Sequence, residues 1–247
     1  MIEELLPAPI AVAEAFHDPV DVQLYPEEAE LIAKAVSKRR REFATVRACA
    51  RKALGQLGLP PAPILPGTRG APQWPASIVG SMTHCGGYRA AAVAHARDMV
   101  TVGLDSEPNE PLKDDGVLNL VTVAEERAWL PEAAARRPGV NWDRLVFSAK
   151  ESVYKAWYPL TGLWLDFDEA VITVDPVGGT FEARLLVPGP VVAGTRLPGF
   201  SGRWLARDGL ILTAISVTHE AVAARTPPVG AGGARAHGPG DGSPTTR

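Results

Sequence analysis

The sequence predicts an α+β protein of two comparable halves, and three observations lead there. Apolar residues recur at helical spacing near the start of the chain and again near its middle. Short apolar runs bounded by Gly, Pro, Asn and Asp follow each helical stretch, as strands do. The resulting order of helix, strands, helices, strands segregates the two kinds of element rather than alternating them. No strong sequence repeat relates the halves.

A first helix is expected from Tyr25 to about Leu57. Pro26, Glu27 and Glu28 suit a first turn. Leu31, Ile32, Ala35 and Val36 form one apolar stripe, and Phe43, Val46, Ala50, Ala53 and Leu54 form a second beyond the basic run Lys38 to Arg41. Gly58 and the Pro60-Pro61 pair end it. Residues 60–75 read as a Pro- and Gly-rich loop. Three strands follow, Ile78 to Cys85, Arg89 to Ala96 and Val100 to Asp105, with Gly86-Gly87 as a hairpin turn between the first two. After Pro108 and Pro111, Thr122 and Glu125 fit a capping box that opens a helix. A longer helix runs from about Asn141 to Tyr158, closed by Pro159 and Gly162. Four further strands are expected at Ala170 to Val174, Phe181 to Leu186, Ser201 to Ala206 and Leu210 to Val217. The Gly-, Pro-, Ala- and Ser-rich tail from Arg225 is expected to be disordered. The division is then 1–108, 109–224 and 225–247.

The 247 residues suffice for one large domain or two small ones, and 46% hydrophobic content is ordinary for a globular chain. A formal net charge of −3 gives no global preference for nucleic acid or membrane, so an anion site must come from a local basic cluster. Cys49 and Cys85 have neither a disulfide framework nor zinc spacing, and are expected to be reduced, buried thiols. There is no leader-like start and no apolar run of about 18 residues, so a cytoplasmic protein without a membrane span is expected.

Val100 to Leu104 leads into Asp105-Ser106-Glu107. Alternate residues of a strand share a face, so Asp105 and Glu107 point one way and Ser106 the other. Two adjacent carboxylates suit a bridging cation; the same pattern also suits a solvated strand end. On the long helix, Glu151 and Lys155 are one turn apart. As an exposed pair they would contribute a few tenths of a kcal/mol. Their neighbours Phe147, Val153, Tyr154 and Trp157 instead place them at the margin of a buried helix, as at a cleft. Magnesium takes oxygen ligands and often only one or two carboxylates, with waters and phosphates completing its shell. Arg39 and Arg47, eight residues apart, share a helix face that suits either solvent or phosphate. Arg69 in a Gly-rich loop, with Ser81 and His84 on the first strand, adds polar groups. No phosphate-binding glycine fingerprint and no nucleophile elbow is present.

Five stretches, in order and over roughly residues 15–220, resemble the 4′-phosphopantetheinyl transferases of the Sfp type, in the actinobacterial branch related to EntD and PptT. They are Lys38 to Arg47, Gly70 to Pro75, Gly80 to Cys85, Val102 to Pro108 and Phe147 to Trp157. The resemblance implies two similar α/β halves related by a pseudo-twofold axis in a monomer, with coenzyme A between them. It implies transfer of phosphopantetheine from coenzyme A to a serine of an apo acyl- or peptidyl-carrier protein, with release of adenosine 3′,5′-bisphosphate. It implies Mg²⁺, or Mn²⁺ in its place, on Asp105, Glu107 and Glu151. Glu151 also matches the proposed base, and Lys155 the lysine near the pyrophosphate. Arg39, Arg47 and His84 match groups on the 3′-phosphate and pyrophosphate, Arg69 a frequent basic position, and Ser81 a residue beside the nucleotide. Ser106 departs from the usual residue between the two acids. Lys113 to Ala124, with Leu118, Leu120 and Val121, is the candidate carrier surface; core packing would explain the same residues. A non-catalytic coenzyme A or nucleotide-binding module is the alternative, and it has no use for Glu151 and Lys155.

Overall fold

The computed structural model describes residues 1–225, so the expected tail beyond Arg225 lies outside the described residues. Each half sets one twenty-residue helix across an antiparallel sheet. In the first, α1 (Pro26–Leu31) leads to α2 (Ser37–Gln56), which packs on β1 (Ala11–Ala15), β2 (Ile78–Cys85) and β3 (Tyr88–His95), in the order β1-β3-β2. Half of the central strand β3 is alanine, and its period of two divides it cleanly. Ala91 and Val93 meet Ala50, Ala53 and Leu54 of α2, while Ala90, Ala92 and Ala94 pack into a second cluster with Ile2 and Leu5.

The second half begins with β4 (Met99–Pro108), then α3 (Asp115–Val121), α4 (Ala124–Arg136) and α5 (Trp142–Thr161). There follow β5 (Ala170–Asp175), β6 (Thr180–Leu185), a small hairpin of β7 (Val191–Val192) and β8 (Thr195–Arg196), β9 (Gly199–Arg207), β10 (Leu210–Thr218) and α6 (His219–Ala223). The sheet order is β4-β10-β9-β6-β5. Leu145, Val146, Ala149, Val153, Ala156 and Trp157 bury one face of α5 against it. At Gly103 on β4 an added Cβ would lie 2.2 Å from the Ser152 carbonyl oxygen, so the glycine sets how closely α5 approaches.

The halves meet where β2 lies beside β4. No backbone ladder joins these strands; hydroxyls of β2 take its place. Ser81 Oγ accepts the Leu104 N–H at 3.1 Å, and Thr83 Oγ1 accepts the Ser106 N–H at 3.0 Å. Both would otherwise be unpaired donors on a buried strand edge. Although β4 lies within residues 1–108, its ladder with β10 makes it part of the second sheet.

Several expectations shift. The single helix from Tyr25 to Leu57 is two helices, broken at residues 32–36. Arg40 holds the break by donating to the carbonyls of Ala33 and Ala35 at 2.7 and 2.9 Å. The third strand does not stop at Asp105 but continues to Pro108, so Glu107 as well as Asp105 lies within β4. The cap of α4 sits one residue later than expected, with Glu126 Oε2 accepting the Val123 N–H at 2.8 Å. Pro159 is tolerated in the last turn of α5, and Gly162 at φ +67° closes it.

Candidate active site

Of the three candidate acids, Asp105 has the most hydrogen-bond partners. Its neighbours across the sheet and on α5 are short hydroxyl residues, which leave room for a carboxylate between strand and helix. Oδ1 accepts from Lys155 Nζ at 2.7 Å and from Thr83 Oγ1 at 3.3 Å; Oδ2 accepts from Ser148 Oγ at 2.9 Å. Ser148 and Lys155 are seven residues apart, two turns along one face of α5. Behind them Thr213, which pairs with Asp105 across β4 and β10, ties Ser148 and Ser152 together through its hydroxyl. Ser106, fully buried, bonds Thr83 Oγ1 at 3.0 Å, the same hydroxyl that donates to Asp105.

Glu107, two residues on, accepts from Arg144 Nη1 at 3.0 Å. Burial pushes its carboxyl up to about 7, and the nearby charge of Asp105 pushes the same way; Arg144 and Lys155 pull it down less. Glu151 is likewise raised, first by burial and then by Asp105, against the pull of Lys155. Burial is thus the leading cause at both carboxyls, and at Glu151 the pull of Lys155 exceeds the push of Asp105. Among the described residues, no three acids stand together as a ready ion site.

A cavity of about 400 Å³ opens between the halves. Glu151, Tyr154 and Lys155 of α5 form one wall, Ser81 of β2 another, and Arg69 with Gly70 lies at its loop side. Arg69 adopts φ +56°, and its guanidinium lies 5.2 Å from the Trp164 ring, linking the two halves. Ser81 is only 4% exposed, with its hydroxyl already accepting from Leu104.

Arg39, Arg47 and His84 are not part of that lining. Arg39 is exposed and donates from Nη1 to His84 Nε2. Burial, then the guanidinium of Arg39, lowers the His84 pKa. Arg47 turns inward. Its Nε donates to the Ile64 carbonyl at 3.0 Å, lies 3.6 Å from Glu28 Oε1, and its guanidinium covers the Phe43 ring. Burial lowers it to about 10. Eight-residue spacing puts Arg39 and Arg47 on the same helix α2, but Arg39 lies in its exposed first turn, whereas Arg47 lies farther along, where Glu28 of α1 and the Ile64 carbonyl from the loop after α2 enclose it.

Sequence reasoning passed over Thr83, Arg144, Ser148 and Tyr154. Ser148 and Arg144 had a signal, their two-turn spacing from Lys155 and Glu151 on the same helix. The hydroxyl of Tyr154 is buried without a hydrogen-bond partner.

Family models described as the 4′-phosphopantetheinyl transferase N-terminal domain and the 4′-phosphopantetheinyl transferase superfamily match residues 27–94 and 101–192. The chain is 62% identical over 236 residues to 4′-phosphopantetheinyl transferase Svp of Streptomyces mobaraensis, covering 94% of this chain and 95% of that one. It is 50% identical over 224 residues to 4′-phosphopantetheinyl transferase Npt of Nocardia iowensis (87% and 99% covered). To 4′-phosphopantetheinyl transferase PptT of Mycobacterium tuberculosis it is 47% identical over 223 residues (87% and 97% covered).

Proposed function

Because the chain belongs to the 4′-phosphopantetheinyl transferase family and is an enzyme of that activity, we propose that its donor is coenzyme A and its acceptor a serine of an apo acyl- or peptidyl-carrier protein. Adenosine 3′,5′-bisphosphate is the by-product. The observation that supports this most is the cavity between the halves, with Glu151 and Lys155 on one wall and Lys155 bonded to Asp105 behind it.

The donor set suits a magnesium ion. Asp105, Glu107 and Glu151 offer hard carboxylate oxygens, and a bound cation would favour the charged forms of Glu107 and Glu151 that burial disfavours. When bound, magnesium (or manganese in its place) neutralises charge on the pyrophosphate. Asp105 and Glu107 would hold it, and Glu151 would be a further ligand. Lys155 Nζ donates to a phosphate oxygen once released from Asp105. Glu151 takes the proton of the carrier serine hydroxyl, a role its raised pKa suits. The serine oxygen bonds to the phosphorus on the pantetheine side, and the bond from that phosphorus to the bridging oxygen breaks. Arg69 and the Arg39–His84 pair supply charge and donors for the 3′-phosphate and pyrophosphate. Arg47 is read as shaping that region from inside, through α2 and the Ile64 carbonyl.

The carrier docks beside α3 in this reading. Leu120 is 69% exposed, whereas Val121 is buried and Leu118 packs on the core, so Leu120 is the outward contact. The enzyme is read as a cytoplasmic monomer; no described helix is long and apolar enough to cross a membrane. Incubation with coenzyme A, Mg²⁺ and an apo-carrier tests the stoichiometry. One adenosine 3′,5′-bisphosphate should appear, by chromatography, per serine modified. Release without carrier modification would contradict the assignment of the acceptor.

A further inference from the structure

We infer that Arg144 is a positioning residue for Glu107, fixing that carboxylate so that its free oxygen is held ready for the metal. The inference rests on the magnesium reading above. Arg144 lies in the first turn of α5, and all three guanidinium nitrogens are engaged. Nη1 donates to Glu107 Oε2 at 3.0 Å, Nε to the Glu110 carbonyl at 3.1 Å, and Nη2 to the Pro111 carbonyl at 3.1 Å. The guanidinium also lies 5.9 Å from the Phe147 ring. A planar fork bound on every side cannot rotate toward one partner without losing the others.

The surrounding chain is equally fixed. Asn141 Nδ2 donates to the Asn109 carbonyl at 2.7 Å, and Asp143 Oδ2 accepts the Leu112 N–H at 2.8 Å. These contacts staple the segment after β4 to the start of α5. Within that staple, Arg144 is the member that reaches Glu107. It commits Oε2, while Oε1 accepts no hydrogen bond among the described residues. Lys155 is built differently, because its Nζ has Asp105 as its hydrogen-bond partner and a flexible stem behind it. Lys155 is thus a counter-charge that a cation can displace, and Arg144 is a fixture.

Partners that orient a metal ligand are typically worth 10–100-fold in metal affinity. The test is a Mn²⁺ titration of the protein–coenzyme A complex by electron paramagnetic resonance, corrected against coenzyme A alone. Arg144→Gln should weaken Mn²⁺ binding about tenfold or more, and Arg144→Lys, which keeps charge without the fork, by less. The KM for Mg²⁺ should rise in both while that for coenzyme A stays unchanged. Asn141→Ala, which loosens the staple without touching Glu107, should lower Tm yet leave Mn²⁺ affinity as in the wild type. Equal or tighter Mn²⁺ binding in both Arg144 variants overturns the inference, as does an equal loss in Asn141→Ala. If the wild-type complex binds no Mn²⁺ beyond coenzyme A alone, the magnesium reading itself fails and takes the inference with it. Arg144→Lys keeps the test decisive should Arg144→Gln fail to fold.

Discussion

At Asp105, donors from β2 and α5 converge on one carboxylate: Thr83, Ser148 and Lys155. Replacing it with asparagine keeps the volume, removes the anionic donor and sets an amide against Lys155. Asp105→Asn should lower transfer about 10²–10³-fold, the usual size of losing one group aimed at transition-state charge, and leave the far-ultraviolet circular dichroism unchanged. A lost spectrum would make Asp105 structural. Glu107 gives a prediction with a definite sign. In the unfolded chain it ionises near its usual 4.5; in the fold it keeps its proton up to about 7. The folded state therefore binds more protons in that window, and stability falls as pH rises through it. Glu107→Gln should stabilise the metal-free protein at pH 8 on the order of 1–3 kcal/mol and scarcely at all at pH 4.5. Calorimetry at the two pH values checks this, and equal shifts at both would contradict it. Asp105, Glu107, Glu151 and Lys155 were legible because their spacings of two and four fix a shared face. The contacts of Thr83 and Arg144 were not, because their partners lie 22 and 37 residues away along the chain.

Elements meet here at close quarters, and small residues set the distances. Gly103→Ala would drive a methyl group into the Ser152 carbonyl, which is backbone and cannot swing away. A cost of about 1–3 kcal/mol is expected, with reduced activity as α5 shifts from β4. An unchanged denaturant midpoint would show that the helix gives way freely. Thr83→Val tests the seam between the halves. It leaves the Ser106 N–H without its acceptor in a buried setting, at a cost of about 1–3 kcal/mol read from the same midpoint. The long helix α5 was legible from its apolar stripe and its Gly162 stop. The break between α1 and α2 was not, since neither Gly nor Pro marks it and Arg40 holds it through backbone carbonyls. Strand β1 escaped for a related reason: Ala-Val-Ala-Glu-Ala has little β-propensity, and pairing with β3 is what makes it a strand.

Across the whole molecule, the α+β order of helices and strands was readable, and so was its membership of the transferase family. The seam was not. Nothing in the residues of β4 says that its partner is β10, over a hundred residues on, rather than the neighbouring hairpin. That pairing puts Asp105 and Glu107 on the second sheet, where Lys155 links Asp105 to a cavity that Arg69 and Ser81 line from the first half and Glu151, Tyr154 and Lys155 from the second. The chemistry assigned to the cavity comes down to one covalent change on another protein. Intact-mass spectrometry of an apo-carrier, incubated with the enzyme, coenzyme A and Mg²⁺, should show a gain of one phosphopantetheinyl group that disappears on Ser→Ala substitution of the carrier's acceptor. An unchanged mass across several acyl- and peptidyl-carriers, with coenzyme A and Mg²⁺ saturating, would contradict the account.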